Sequence, residues 1–188
     1  MDIETAIENA LNGDAILFLG SGASIGTVNV SGTSMLSASD LAKKIYPDVT
    51  DLQQATELFI EDNNENGFDG EMELISFLKQ EFRCKTPLYE HRELTSINWK
   101  RIYTTNYDDI IETAYKEQGI NIKSATTSSN IKECLTDNDL LYLHINGYIN
   151  QLTKESLFSD FKLSSFSYNT DQFTNLLIVH GVRYLKTI

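Results

Sequence analysis

An α/β fold is predicted, a parallel sheet with helices on both faces and a helical insertion. Three observations predict it. Short apolar runs of strand length occur at Ala15–Leu19, Arg101–Tyr103 and Leu140–Ile145, as strands of a buried parallel sheet require. Each run stops at a polar or glycine-rich cluster. A long stretch of helical periodicity separates the first two runs.

Taken in order, Asp2–Leu11 reads as an amphipathic helix with Ile3, Ile7, Ala10 and Leu11 on one face, stopped by Gly13. The strand Ala15–Leu19 comes next and runs into the turn Gly20-Ser21-Gly22-Ala23-Ser24-Ile25-Gly26. Ser21–Thr33, rich in small residues, is expected to form a mobile flap over that turn. Leu36–Ile45 is helical and ends before Pro47. A further helix, Leu52–Ile60, has Asp51 as its N-cap. Asp62–Gly67 is a polar loop by composition. Glu71–Phe82 and Leu88–Ile97 are two more helices, the second opened by Pro87. Residues 34–97 thus form a helical insertion or cap on a core made of 14–33 and 98–188.

Strand character returns at Arg101–Tyr103, followed by a helix over Asp109–Lys116 that ends at Gly119. Asn121–Ser124 is a candidate strand, Leu140–Ile145 a clear one, and Asp171–Leu185 a last amphipathic helix. The final Leu185–Ile188 reads as the start of another strand, so a C-terminally truncated single domain is expected.

Composition narrows the function. A net charge of −12 argues against direct nucleic-acid binding, which needs clustered Lys and Arg. No apolar run approaches the ~20 residues of a membrane span, and the acidic N-terminus does not read as a leader, so a cytoplasmic location is expected. Cys84 and Cys134 lack zinc-site spacing, and two free thiols with no metal are expected.

Polar clusters follow three strands: Gly20–Ser24, Thr104-Thr105-Asn106-Tyr107-Asp108, and His144-Ile145-Asn146-Gly147. In a Rossmann-like sheet such strand ends face one crevice, and a glycine-rich turn there offers backbone N–H groups to phosphate. Each cluster also has a plain structural explanation. Asn106 and Asp108 are good helix caps, His144 fits a core histidine, and Asn146-Gly147 fits a turn.

On these residues the chain resembles the sirtuin family, specifically the sirtuin-like domains of bacterial anti-phage defence proteins. Gly20-Ser21-Gly22-Ala23-Ser24 is similar to the family's Gly-Ala-Gly-x-Ser phosphate loop, and Thr104–Asp108 to its Thr-Gln-Asn-x-Asp segment. Leu143–Ile149 occupies the place of its catalytic His-Gly segment, with Asn146 standing where the histidine belongs and His144 two residues earlier. The four-cysteine zinc module of sirtuin deacylases is missing. The resemblance therefore implies NAD+ as substrate without a peptide acceptor: an NAD+ glycohydrolase releasing nicotinamide and ADP-ribose, acting in anti-phage defence by NAD+ depletion. The alternative is a non-catalytic NAD+ or ADP-ribose sensor in a defence complex.

The resemblance implies roles for named residues. Gly20, Ser21, Gly22 and Ala23 hold the pyrophosphate, and Ser24 a phosphate or ribose oxygen. Thr105 and Asn146 join the nucleotide site. Asn106 positions water or the ribose hydroxyls, Asp108 orients the nicotinamide amide or stabilises the loop, and His144 is the favoured general base. His180-Gly181, inside the last helix, and His91 rank below it. A homo-oligomer is expected, with a HerA-type ATPase partner or a fused C-terminal domain controlling turnover.

Overall fold

The computed structural model describes residues 2–129, 140–161 and 163. The chain opens with α1 (Ile3–Leu11), which Asp2 caps by accepting the Thr5 N–H at 2.8 Å. β1 (Ile16–Leu19) leads into a 3-10 turn, Ser21–Ser24. The strand β2 (Val28–Asn29) is followed by the helices α2 (Ala38–Ile45), α3 (Leu52–Glu65) and α4 (Gly70–Phe82). Then come β3 (Cys84–Thr86), α5 (Tyr89–Thr95), β4 (Arg101–Thr104), α6 (Ile110–Glu117), β5 (Lys123–Thr126) and β6 (Leu141–His144). A short helix α7 (Lys154–Leu157) closes the described chain.

Four strands make one parallel sheet in the order β1-β4-β6-β5. This is the predicted α/β architecture. One face of the sheet packs Leu19, Ile102 and Tyr142 against Ile111 and Tyr115 of α6, with Leu94 of α5 and Trp99 alongside. A second core lies beyond the strand ends. There Leu41, Leu74, Leu78 and Phe82 of the helical block pack with Tyr148, Ile149, Leu157 and Phe161.

Three local expectations are corrected. Asp62–Gly67 is not wholly a loop, because α3 runs on to Glu65: Asn63 and Asn66 donate back to the carbonyls of Phe59 and Asp62, so the polar composition marks an exposed helix end. The block between Leu36 and Ile97 is not purely helical, since β3 pairs antiparallel with β2. Nor is Ser21–Thr33 a free flap. Asn29 is fully buried and its side chain bonds Thr33, the Ser31 N–H and Glu81, while Glu81 pairs with Lys44 at 2.7 Å. A buried amide with its bonds satisfied on both sides fixes the segment it belongs to. Two further expectations, the helix Asp171–Leu185 with His180-Gly181 and the strand start at Leu185–Ile188, lie outside the described residues, as does Cys134.

Candidate functional site

β1 and β4 run side by side in register, Leu19 opposite Thr104. Their carboxyl ends therefore release the Gly20–Ser24 turn and the Thr105–Asp108 segment next to each other. Asn106 crosses between them. Its Nδ2 donates to the Gly20 carbonyl and to Ser24 Oγ, both at 2.9 Å. Ser24 Oγ in turn donates to Asp108 Oδ2 at 2.6 Å. The cap reading of Asn106 fails here, because its side chain turns away from α6. Asp108 does both jobs: Oδ1 accepts the Ile110 N–H at 3.2 Å while Oδ2 holds Ser24.

The turn is pinned from behind by His91 of α5. Its Nδ1 accepts the Leu88 N–H at 3.1 Å, which fixes the proton on Nε2, and Nε2 donates to the Ala23 carbonyl at 2.6 Å. His91 is buried and structural. On the outer side, a Cβ added at Gly20 or Gly22 would meet nothing within 4 Å. The open space above both glycines leaves an anionic group room to approach the backbone of the turn.

Ser21, Ser24, Thr105, Asn106, Asp108 and Asn146 line one cavity of about 300 Å³. Its apolar wall comes from Ile25, Met35, Leu36, Leu41 and Phe82, so α2 and α4 close the crevice that the sheet opens. A pocket of this size, mostly apolar with a few convergent polar groups, suits part of a nucleotide. Asn146 is buried. Its Nδ2 donates to the Thr105 carbonyl at 2.9 Å, and its Oδ1 has no partner. In a cavity-lining residue that acceptor is left for a donor from water or from a ligand.

His144 is placed differently. It is the last residue of β6, on the face that packs α6, and it is fully buried. Nδ1 lies 3.0 Å from the Asn106 carbonyl and Nε2 lies 2.8 Å from Glu112 Oε1. Tyr148 stacks on the ring at 4.3 Å and Tyr142 tilts against it at 4.5 Å. Burial, the largest influence, works against charge on this imidazole. The Glu112 carboxylate and the Asn106 carbonyl outweigh it and hold the pKa above the ordinary histidine value. An imidazolium donating from both nitrogens matches two acceptor partners, and such a ring has no lone pair to offer the cavity.

Burial pushes the Asp108 carboxyl up to about 6, against the hydrogen bonds from Ser24 and Ile110. Cys84, also buried, is pushed up to about 12 and is an unreactive thiol. Among the described residues no group of three or more His, Cys, Asp or Glu is placed to hold a metal ion, and no helix is long and apolar enough to cross a membrane.

Sequence reasoning missed Glu112, Tyr148 and the apolar wall from Leu36 and Leu41. Glu112 sits one helical turn after Asp108, a spacing that puts both at the same helix end. Nothing local to Leu36 or Leu41 distinguishes a cavity wall from a core position.

Residues 100–182 match the family model of the SIR2-like domain. The match takes in β4, α6, β5 and β6 and agrees with a sirtuin-like domain. The Gly20–Ser24 turn lies outside the matched span. No curated protein matches the chain.

Proposed function

We propose that this SIR2-like chain is an NAD+ glycohydrolase, cleaving NAD+ to nicotinamide and ADP-ribose. The SIR2-like match ties the chain to NAD+-related chemistry. The observation that carries the finer reading is the Ser24–Asn106–Asp108 network. Two strand ends more than eighty residues apart in sequence bond to each other at 2.6 and 2.9 Å beneath one cavity. Cleaving the nicotinamide–ribose bond builds positive charge at the ribose carbon, so the site must hold the pyrophosphate and orient the ribose and water.

The groups present fit that task. The Gly20–Ala23 turn gives the pyrophosphate room to approach its backbone, with open space above both glycines, although the Ala23 N–H is already bonded to the Gly20 carbonyl. Asn146 Oδ1 offers an acceptor to a ribose hydroxyl or the carboxamide, with Thr105 supporting it through its carbonyl. Asn106 positions the reacting water and Asp108 supplies the negative charge beside it. His144 contributes through Asn106, whose carbonyl it holds, rather than by touching the reacting atoms.

The resemblance extends the proposal to anti-phage defence by NAD+ depletion. A free NADase drains its own cell, so turnover is switched, by homo-oligomerisation and by a HerA-type ATPase or a fused C-terminal domain. A second reading has its own support. Asparagine at position 146, where the family has its histidine, and the sealed ring of His144 both favour a sensor that binds NAD+ or ADP-ribose without cleaving it. Nicotinamide release from NAD+, followed against chain concentration, separates them. The glycohydrolase releases nicotinamide at a rate per chain that rises on assembly. NAD+ binding with no release at any concentration leaves the sensor.

A further inference from the structure

The proposed glycohydrolase needs a group to take the proton of the attacking water, and the identity of that group rests on the glycohydrolase reading. Both ring nitrogens of His144 are committed to protein acceptors, and both of His91 to Leu88 and Ala23. An asparagine at position 146 carries no basic lone pair. Two titratable side chains line the cavity, Asp108 and Tyr107. Phenols keep their proton at neutral pH, and Tyr107 is packed between Phe82 and Phe161.

We infer that Asp108 is the proton acceptor of the reaction and is reached through the hydroxyl of Ser24. Ser24 Oγ donates to Asp108 Oδ2 at 2.6 Å and accepts from Asn106 Nδ2 at 2.9 Å. A hydroxyl oxygen has two lone pairs, so one is left for the O–H of a water. Asn106 therefore sets the direction of the relay as well as its position.

The step balances without a co-reactant. The water oxygen bonds to the ribose C1′ as the bond from C1′ to the pyridinium nitrogen breaks. That electron pair stays with nicotinamide, which leaves neutral. The water proton passes to Ser24 Oγ while the proton of Ser24 passes to Asp108 Oδ2. ADP-ribose departs, and the carboxylic acid returns its proton to solvent.

The surroundings of Asp108 suit the task. Glu112 of α6 raises its proton affinity and His144 of β6 lowers it. The Cys84 thiol at β3 is neutral, and Asp109 is turned away onto the Cys84 N–H and Asn150. With desolvation the largest influence, the carboxyl sits at about 6. It is ionised at neutral pH and still a far stronger base than a solvated carboxylate.

The test is the pH–rate profile of nicotinamide release by the full chain, for wild type, Asp108→Asn, Asp108→Glu and Ser24→Ala, with ADP-ribose affinity measured alongside. Wild type should show an ascending limb near pH 6. Asp108→Asn should lose turnover by about 10²–10⁴-fold with ADP-ribose still bound. Asp108→Glu should keep part of the rate with a displaced limb, and it decides the matter should the asparagine variant fail to fold. Turnover surviving in Asp108→Asn with the wild-type limb overturns the proton route alone. ADP-ribose bound by every variant with no nicotinamide released at any pH overturns the glycohydrolase reading, and the route with it.

Discussion

Two polar clusters stand side by side at the carboxyl ends of this sheet. Ser24, Asn106 and Asp108 lie after β1 and β4. Glu112, His144 and Tyr148 surround the end of β6. Both join distant parts of the chain through short hydrogen bonds, and in sequence both look like chemistry. They differ in where their remaining bonding capacity points. The first lines an open cavity with a neighbouring acceptor, Asn146 Oδ1, still unpartnered. The second spends both nitrogens of His144 on the protein and seals the ring between Tyr142 and Tyr148, and its own unpartnered acceptor, Glu112 Oε2, is buried away from the lining of that cavity. A polar residue at a strand end becomes a candidate for catalysis only when the fold leaves one of its donors or acceptors for a ligand.

The largest expected effect breaks the first cluster. Asn106→Ala should abolish nicotinamide release. It removes the bonds to Gly20 and Ser24, at a cost of about 1–3 kcal/mol in stability. Melting temperature and turnover on one preparation separate the two losses.

The second cluster should answer in the opposite way. His144→Leu leaves the part-buried Glu112 carboxylate with Ser124 as its remaining partner, and the fold should lose about 1–3 kcal/mol. The double change with Glu112→Leu should recover most of that. Full stability in His144→Leu with turnover lost would instead make the ring a direct participant.

Proton linkage sharpens the contrast because both groups titrate high, so both make stability fall as pH rises, but in different pH windows and for different reasons, a penalty at Asp108 and a lost stabilisation at His144. The Asp108 carboxyl titrates higher in the fold than its ordinary 3.8. Its penalty is therefore absent below about pH 3.8, grows as pH rises, and is complete above about 6, amounting to at most about 3 kcal/mol. The melting temperature of Asp108→Asn relative to wild type should accordingly be more favourable at about pH 8 than at about pH 4. His144, raised above the ordinary 6.5, gives stability that is full below that value and is lost as pH climbs through its raised value. His144→Leu should therefore cost less as pH rises through that range.

The smallest effect belongs to Asn146. Asn146→Leu should weaken ADP-ribose binding by about 1–2 kcal/mol through loss of its Oδ1 acceptor, on top of a stability loss of about 1 kcal/mol from the lost Nδ2 bond to the Thr105 carbonyl. Calorimetric titration checks it.

The sheet was legible because Ile16–Leu19 and Leu141–His144 are apolar runs of strand length; β6 is buried on both faces, whereas the edge strand β1 leaves Ile16 and Phe18 exposed. β3 was not, because a short strand carrying Lys85 and Thr86 has no periodicity to read. Ser24, Asn106 and Asp108 were legible as strand-end residues. The reach of His144 was misjudged for a specific reason. Side chains two apart share a face only while the strand lasts, and β6 ends at His144. Asn146 is released beyond the strand into the turn at Gly147, whose φ of 103° suits glycine and where a Cβ would come within 2.8 Å of Phe161. The cavity wall from α2 and α4 is a product of tertiary packing and left no local mark.

The most direct test of the central claim, that the cavity at the ends of β1 and β4 is the NAD+ site, is an amide NMR titration of the full chain with NAD+. Shift changes concentrated on Gly20–Ser24, Thr105–Asp108 and Asn146, and lost in Asn106→Ala, are the predicted result. Changes confined to other parts of the chain, or none at saturating NAD+, would contradict it.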